Sequence, residues 1–360
     1  MRAEIKLIIL LSLLTFSCNN NDPFKGESYY HEYTKHAKHI KGQEITFNDI
    51  NTGDMLVFDS LIIFSSSKYP DFSLNVFNEK NGNVLSRLIP KGNGPYEYSG
   101  TSLTHQIIHK ENQTSIIIYA YNKQEIIEID LQNLSPKNCY IHRKPFKWSE
   151  NFNKPYNYIF KLDENKILAK IPAMHLFENG TENHPPKYLI IDINTQETER
   201  EYTMYQKSIS SDSNKEFAID VYYLSTDRVK PDGSKLVSVQ GLLAQISILD
   251  LNSFKSNNYR IANTSNPEYL YGDTDNYHLY YKSSTVSDDY IYCLYVNQPF
   301  KPRTGIPSSN IVHVWDWNGN FISEIHLDKQ VDQIEFDLKD NILYGKNNIT
   351  DEVYVFQDSH

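Results

Sequence analysis

Apolar and polar positions follow one recurring phrase along the chain. An apolar or aromatic run closes on an acid, a short polar turn follows, and a second alternating run returns. His313–Ile325 (HVWDWNGNFISEI) is one copy. Others start at Tyr188 (YLIIDINTQETE) and Gln245 (QISILDLNSF), at Leu74–Asn78 with the turn Asn81-Gly82, and at Ile127–Leu131. The last, Val353–Phe356, has no return run after it. Each copy predicts a β-hairpin: a β-branched or aromatic strand, a tight turn able to hold positive φ, and a return strand. Six such units at a spacing of roughly 40 to 60 residues predict propeller blades. The expected fold is all-β, a six-bladed β-propeller of four-stranded antiparallel blades.

The pattern places strands at Asp54–Ser65; at Ile107, Ser115–Tyr119 and Glu125–Asp130; at Tyr158–Leu162 and Lys166–Ile171; at Phe217–Tyr223, Leu236–Gln240 and Gln245–Leu251; at Leu279–Tyr281 and Tyr290–Val296; and at Gln333–Phe336 and Ile342–Gly345. Asn138–His142 is the expected outer strand of the second blade. The sixth blade lacks a fourth strand, and Glu44–Phe47 is a spare strand near the other end. An N-terminal strand that completes the last blade would remove an exposed edge. On this reading, deletion through Phe47 destabilises the fold, whereas deletion through Lys25 does little.

Composition changes the picture in three ways. A formal charge of −10 disfavours nucleic acid, which calls for a basic face. Tyrosine is abundant, at 27 residues, and aromatic faces with hydroxyls suit glycan or peptide recognition. Of the 3 cysteines, Cys139 and Cys293 have no metal-like spacing and read as buried thiols. Cys18 belongs to the leader. A basic start, the apolar run Leu7–Phe16 and Ser17-Cys18 read as a signal peptide over 1–17, too short to span a bilayer in the mature protein. Cys18 is the expected lipidation site, which resembles the bacterial lipobox. Residues 18–43 form a tether and N-terminal extension, and 44–358 the propeller. The only membrane contact expected is the lipid anchor, which places the protein in the cell envelope, at the outer membrane.

Chemistry is less legible. No His-Glu-x-x-His, Gly-x-Ser-x-Gly or Cys-x-x-Cys is present. No catalytic residues and no cofactor are assigned. A calcium ion at Gly272–Asn276 lacks the full ligand spacing, and a metal on the axis would need histidines or acids from several blades. Asp130, Asp192, Asp250 and Asp316 recur at strand ends and are read as acceptors for their own turns. His31, His36 and His39 cluster in sequence without a ligand pattern. Two insertions, Ala173–Lys187 and Asn297–Asn310, are expected on the face of the inter-blade loops, with Tyr271 and Tyr277 at the rim of a ligand site.

One loop, Lys91–Tyr98, carries a recognisable segment. Gly92, Gly94, Pro95, Glu97 and Tyr98 fit the pattern Gly-x-Gly-Pro, one residue, Glu, aromatic. With the lipobox and the blade pattern, the chain resembles the TolB-like six-bladed propeller lipoproteins of Bacteroidetes. The resemblance implies fold and compartment and brings no catalytic set. Three functions stay open: binding or scaffolding with a glycan, peptide or envelope-protein ligand; a lactonase-like hydrolase or lyase at the axis, with or without a metal; and a structural part of an envelope assembly.

Overall fold

The computed structural model describes residues 22–32, 37–110, 113–135, 139–147, 156–175, 183–206, 223–262, 264, 278–299 and 307–357. Among the described residues the first strands are β1 (Ser28–His31) and β2 (Ala37–Ile45), which join sheets built much later in the sequence. The first sheet is β3 (Asp54–Phe58), β4 (Leu61–Ser65), β5 (Phe72–Asn78) and β6 (Val84–Pro90). The second is β7 (Ser102–Lys110), β8 (Gln113–Ala120), β9 (Glu125–Asp130) and β10 (Tyr140–Pro145). The third runs β11 (Tyr158–Lys161), β12 (Lys166–Ile171), β15 (Lys187–Asp192), β16 (Thr198–Tyr202). Between β12 and β15 lies a small ladder, β13 (Met174–His175) with β14 (Asn183–His184). The fourth is β17 (Ser225–Val229), β18 (Lys235–Gln240), β19 (Gln245–Asp250) and β20 (Lys255–Ile261), with β1 added in parallel on β20.

The last two groups of strands are merged. β21 (His278–Val286), β22 (Tyr290–Pro299), β23 (Ser309–Asp316) and β24 (Phe321–Val331) form one half of an eight-stranded sheet, and β25 (Gln333–Asp337), β26 (Ile342–Lys346) and β27 (Val353–Gln357) lie in the other. β2 joins them. Its first residues, Ala37–Ile40, pair in parallel with β24, and Lys41–Ile45 pair antiparallel with β27. The molecule is therefore a propeller-like arrangement of antiparallel four-stranded sheets. Where six separate sheets are expected, the last two share a strand, because β2 is nine residues long and serves both edges.

Burial explains why so many strands read as continuous apolar runs. β8 and β19 are buried along almost their whole length, since neighbouring sheets cover both faces. The core is divided among the gaps between sheets. One cluster joins the first and second sheets through Leu74, Tyr98 and Ile127. Others follow between second and third, third and fourth, and fourth and the β21–β24 half. The last two lie between the halves of the merged sheet, and between β25–β27 and the first sheet.

Turns obey the local chemistry of the sequence. Gly82 adopts φ +62°, and a Cβ there would lie 1.8 Å from the Thr46 carbonyl oxygen. Asp59 and Ser60 both hold positive φ in the two-residue turn between β3 and β4. The repeated acids cap their turns: Asp192 Oδ1 accepts from the amides of Asn194 and Thr195, each at 2.8 Å, and Asp250 and Asp316 do the same for theirs. Those amides hold the Asp192 carboxyl below its usual range.

The expected strand Phe217–Tyr223 lies outside the described residues apart from Tyr223; the innermost described strand of the fourth sheet is Ser225–Val229, whose buried Ser225, Asp227 and Arg228 give it no apolar signal. Three expectations need correction. The outer strand of the second sheet is Tyr140–Pro145 rather than Asn138–His142. The spare N-terminal strand spans Ala37–Ile45 rather than Glu44–Phe47. The expected tether is docked over much of its length: Phe24 is buried, and Asp22 pairs with the fully buried Arg260.

Candidate functional site

The inner strands β3, β7, β11, β17, β21 and β25 converge on one axis. At the end where these strands begin, they surround an open funnel of about 560 Å³. Asp54, His105, Tyr158, Arg228, Lys282 and Asp332 bring one side chain from each inner strand or its entry, and Tyr121, Tyr156 and Asn348 line the mouth. Past a constriction, a small cavity of about 40 Å³ opens toward the other end of the strands.

Glu335 forms the constriction. Its Oε1 lies 2.9 Å from His105 Nδ1, accepts from Arg228 Nη2 at 3.4 Å, and lies 3.3 Å from Gln333 Nε2. Its Oε2 accepts from Thr285 at 3.4 Å. Donors from several sheets thus meet on one carboxylate that is 3 % exposed. His105 reaches it from a bulge in β7, where the register slips between Leu103 and Ile107, and its φ is +52°. A bulge re-aims a side chain, and a non-glycine residue held in the left-handed region marks a conformation imposed by its surroundings.

A second ionic group lies nearer the mouth. Asp332 pairs with Lys282 and accepts from Ser308 Oγ at 2.8 Å and the Asn348 amide at 2.7 Å. Burial is the largest influence on this carboxyl and acts upward, but Lys282, Ser308 and the Asn348 amide together outweigh it and lower its pKa.

Side chains also stitch the sheets around the axis. Gln333 Oε1 accepts from the Met55 amide at 3.0 Å while its Nε2 donates to the Met55 carbonyl at 2.8 Å. Gln106 does the same to Lys161, both bonds at 2.8 Å. Each glutamine side chain imitates a strand's backbone where two sheets do not pair. Between third and fourth sheets, buried Asp227 holds Lys170 at 2.9 Å and Tyr188 OH at 2.8 Å. Burial, then Asp227, pushes the Tyr188 phenol well above its usual pKa.

The Gly92–Tyr98 segment is a clip behind the funnel rim. Glu97 Oε2 accepts the Gly94 amide at 2.9 Å, and a Cβ on Gly92, at φ +151°, would lie 2.0 Å from that oxygen. Tyr98 is fully buried, with its OH between Glu125 and Arg143. Arg143 also donates to the Pro95 carbonyl at 3.1 Å, and Lys123 donates to the Gly94 carbonyl. Lys123 lies in the turn that carries Tyr121 and Glu125 opens the strand after it, so the segment braces one wall of the mouth.

The remaining sequence candidates fare unevenly. Cys18, Tyr271, Tyr277, the Gly272–Asn276 loop and the middle of each insertion (176–182 and 300–306) lie outside the described residues. His31 packs edge-on to Trp315 in one place and His39 on His326 in another, so these two do not converge. Cys139 and Cys293 are buried thiols that form no disulfide. Among the described residues, no three His, Cys, Asp or Glu side chains are grouped to hold a metal. His105, Arg228, Lys282 and Gln333 were not singled out as a site by the sequence. They sit on different strands far apart in the chain, and only the ring brings them together.

No protein-family model matches the sequence, and neither does any curated protein sequence. The fold does have solved relatives in shape. A protein from Bacteroides fragilis named as exported superposes with a TM-score of 0.54, covering 91 % of this chain and 98 % of its own at 11 % identity. A member of the DUF4221 family from Bacteroides vulgatus gives 0.53, covering 93 % and 95 % at 12 % identity. At such identities the likeness is one of fold.

Proposed function

We propose that this protein is an exported, lipid-anchored, six-bladed β-propeller that binds a carbohydrate in its axial funnel without transforming it. The observation that carries the reading is the funnel: about 560 Å³, with tyrosine rings at its mouth and charged and amide side chains on its walls. Pockets of this size with a few convergent polar groups are the usual form of a small-ligand site, and rings beside hydrogen-bonding groups suit a sugar. The two buried acids are engaged structurally, Asp332 by Lys282, Ser308 and the Asn348 amide, Glu335 by the groups at the constriction. Neither is poised as a free general acid or base, which favours binding over hydrolysis.

The blade count rests on the core. Its clusters fill the gaps between successive sheets and return from β25–β27 to the first sheet, as a closed ring of six requires when the merged sheet counts as two blades. The N-terminal strand β2 would close that ring on β27. Export and anchoring rest on the leader and Cys18, and the TolB-like resemblance on the Gly92–Tyr98 segment. Two likenesses in fold, one to a protein named as exported, fit an extracytoplasmic setting.

The test is a glycan and peptide array probed with wild type and Tyr121→Ala. Binding to an oligosaccharide class, weakened at least tenfold in the variant and without release of reducing ends, supports the reading. Binding to peptides only, or turnover of the bound glycan, overturns it.

A further inference from the structure

The N-terminal strap is built into the fourth sheet. Asp22, four residues after Cys18, is held on the flank of the fourth sheet. Its carboxylate takes Arg260 Nη1 at 2.6 Å and Nη2 at 3.0 Å, a two-pronged pair with a guanidinium that is fully buried. The hydrogen bonds outweigh burial, the largest single influence, and keep that carboxyl below its usual pKa. Phe24, 2 % exposed, packs on Tyr205 with ring centres 4.8 Å apart. The Lys25 amide donates to the Met204 carbonyl at 2.7 Å, and Asn258 Nδ2 donates to the Lys25 carbonyl at 3.0 Å. β1 then runs in register with β20 from Ser28 opposite Asn258 to His31 opposite Ile261. The strap is part of the fold and is not a loose tether.

We infer that the outer flank of the fourth sheet, with β1 at its edge, is the surface that lies against the lipid. The inference rests on the lipid anchor at Cys18 proposed above. A chain extended over the four residues from Cys18 to Asp22 reaches about 14 Å at most. With Asp22 clamped, the part of the flank around Arg260 cannot stand farther than that from the bilayer surface. The flank also offers suitable chemistry. Tyr29 and Tyr30, 41 % and 58 % exposed, lie on opposite faces of β1, the outermost strand, Tyr29 stacked on Tyr259 and Tyr30 OH accepting from Arg260. Tyrosine favours the membrane–water interface, where its ring meets acyl chains and its hydroxyl meets water. The funnel, central in the ring, is then held close to the membrane and not at the end of a long leash.

The test uses the mature, lipidated full-length protein reconstituted in phosphatidylethanolamine/phosphatidylglycerol vesicles that carry an acceptor dye on the headgroup. Single cysteines are introduced at Glu27→Cys on the strap and at Leu85→Cys on the outer strand of the first sheet, both exposed positions. Cys139 and Cys293 are wholly buried and stay unlabelled in the native fold. Energy transfer to the headgroups is expected to be several-fold stronger from position 27 than from position 85. A Gly/Ser linker of about 20 residues inserted between Asn21 and Asp22, with a mean span of about 25 Å, should bring the two signals together. Equal transfer from both positions in the lipidated protein overturns the orientation and leaves the anchor standing. A mature chain whose mass shows no lipid on Cys18 overturns the anchor, and the orientation with it.

Discussion

Single residues carry two kinds of prediction. His313 is fully buried, stacked on Tyr295 at 3.9 Å, with Nδ1 3.0 Å from Tyr281 OH. Burial, and then neighbouring His326, push its pKa down to about 3. The unfolded chain titrates near 6.5, so as pH falls the unfolded state takes up the proton first. The stability is fully present above about pH 6.5 and is lost as pH falls toward 3, at about 1.4 kcal/mol per unit. Between pH 6.5 and 5, above the carboxylate range, wild type should lose urea resistance with a slope that His313→Phe flattens. Identical slopes would show that His313 is not held neutral. The second prediction concerns Gln333. Replacing it by alanine strands the Met55 amide and carbonyl in a buried seam and should cost about 1–3 kcal/mol in a urea titration. No sequence pattern announces this role, because a side-chain amide standing in for a strand looks like any other buried glutamine.

At the scale of elements, hairpins with a turn signal were legible and elements defined by tertiary pairing were not. β5–β6 and β23–β24 follow from alternation around Asn81-Gly82 and Asn318-Gly319. β17 has no apolar pattern, because its buried positions Asp227 and Arg228 serve the seam and the axis. β1 and β2 each take their identity from strands more than two hundred residues away, which no local periodicity can encode. This changes a truncation prediction. Removal of residues through Lys25, expected from sequence to be harmless, takes away Phe24 and the carboxylate on buried Arg260. Asp22 is only part-buried and Arg260 keeps Gln245 and Tyr30 as partners, so the loss should fall below the figure of about 3–5 kcal/mol for a fully buried pair. That truncation should therefore lower the urea midpoint clearly, and deletion through Phe47 should lower it further by removing β2 from β27. A midpoint equal to wild type for the shorter deletion would show that the strap contributes nothing to the fold.

At the scale of the whole molecule, the polar axis is the feature that stability alone does not explain. A ring of sheets could meet on an apolar plug, yet here Arg228 and Glu335 are 5 % and 3 % exposed. Desolvating two charges can offset what their attraction returns, so replacing such a pair by apolar residues of similar size is often neutral or stabilising by about 1–4 kcal/mol. Removing only one partner is different, because the other is left buried and unmatched. Glu335→Ala alone, which also strands donors from His105, Gln333 and Thr285, should cost about 3–5 kcal/mol. The pair Arg228→Met with Glu335→Met should recover most of that loss, and a double-mutant cycle should show strong coupling between the two positions. If the axis exists to receive a ligand, the double variant will unfold near the wild-type urea concentration but lose the binding measured on the array. A double variant that binds as wild type does would place the ligand elsewhere. One that stays as unstable as Glu335→Ala would make the axial pair a structural requirement of the ring.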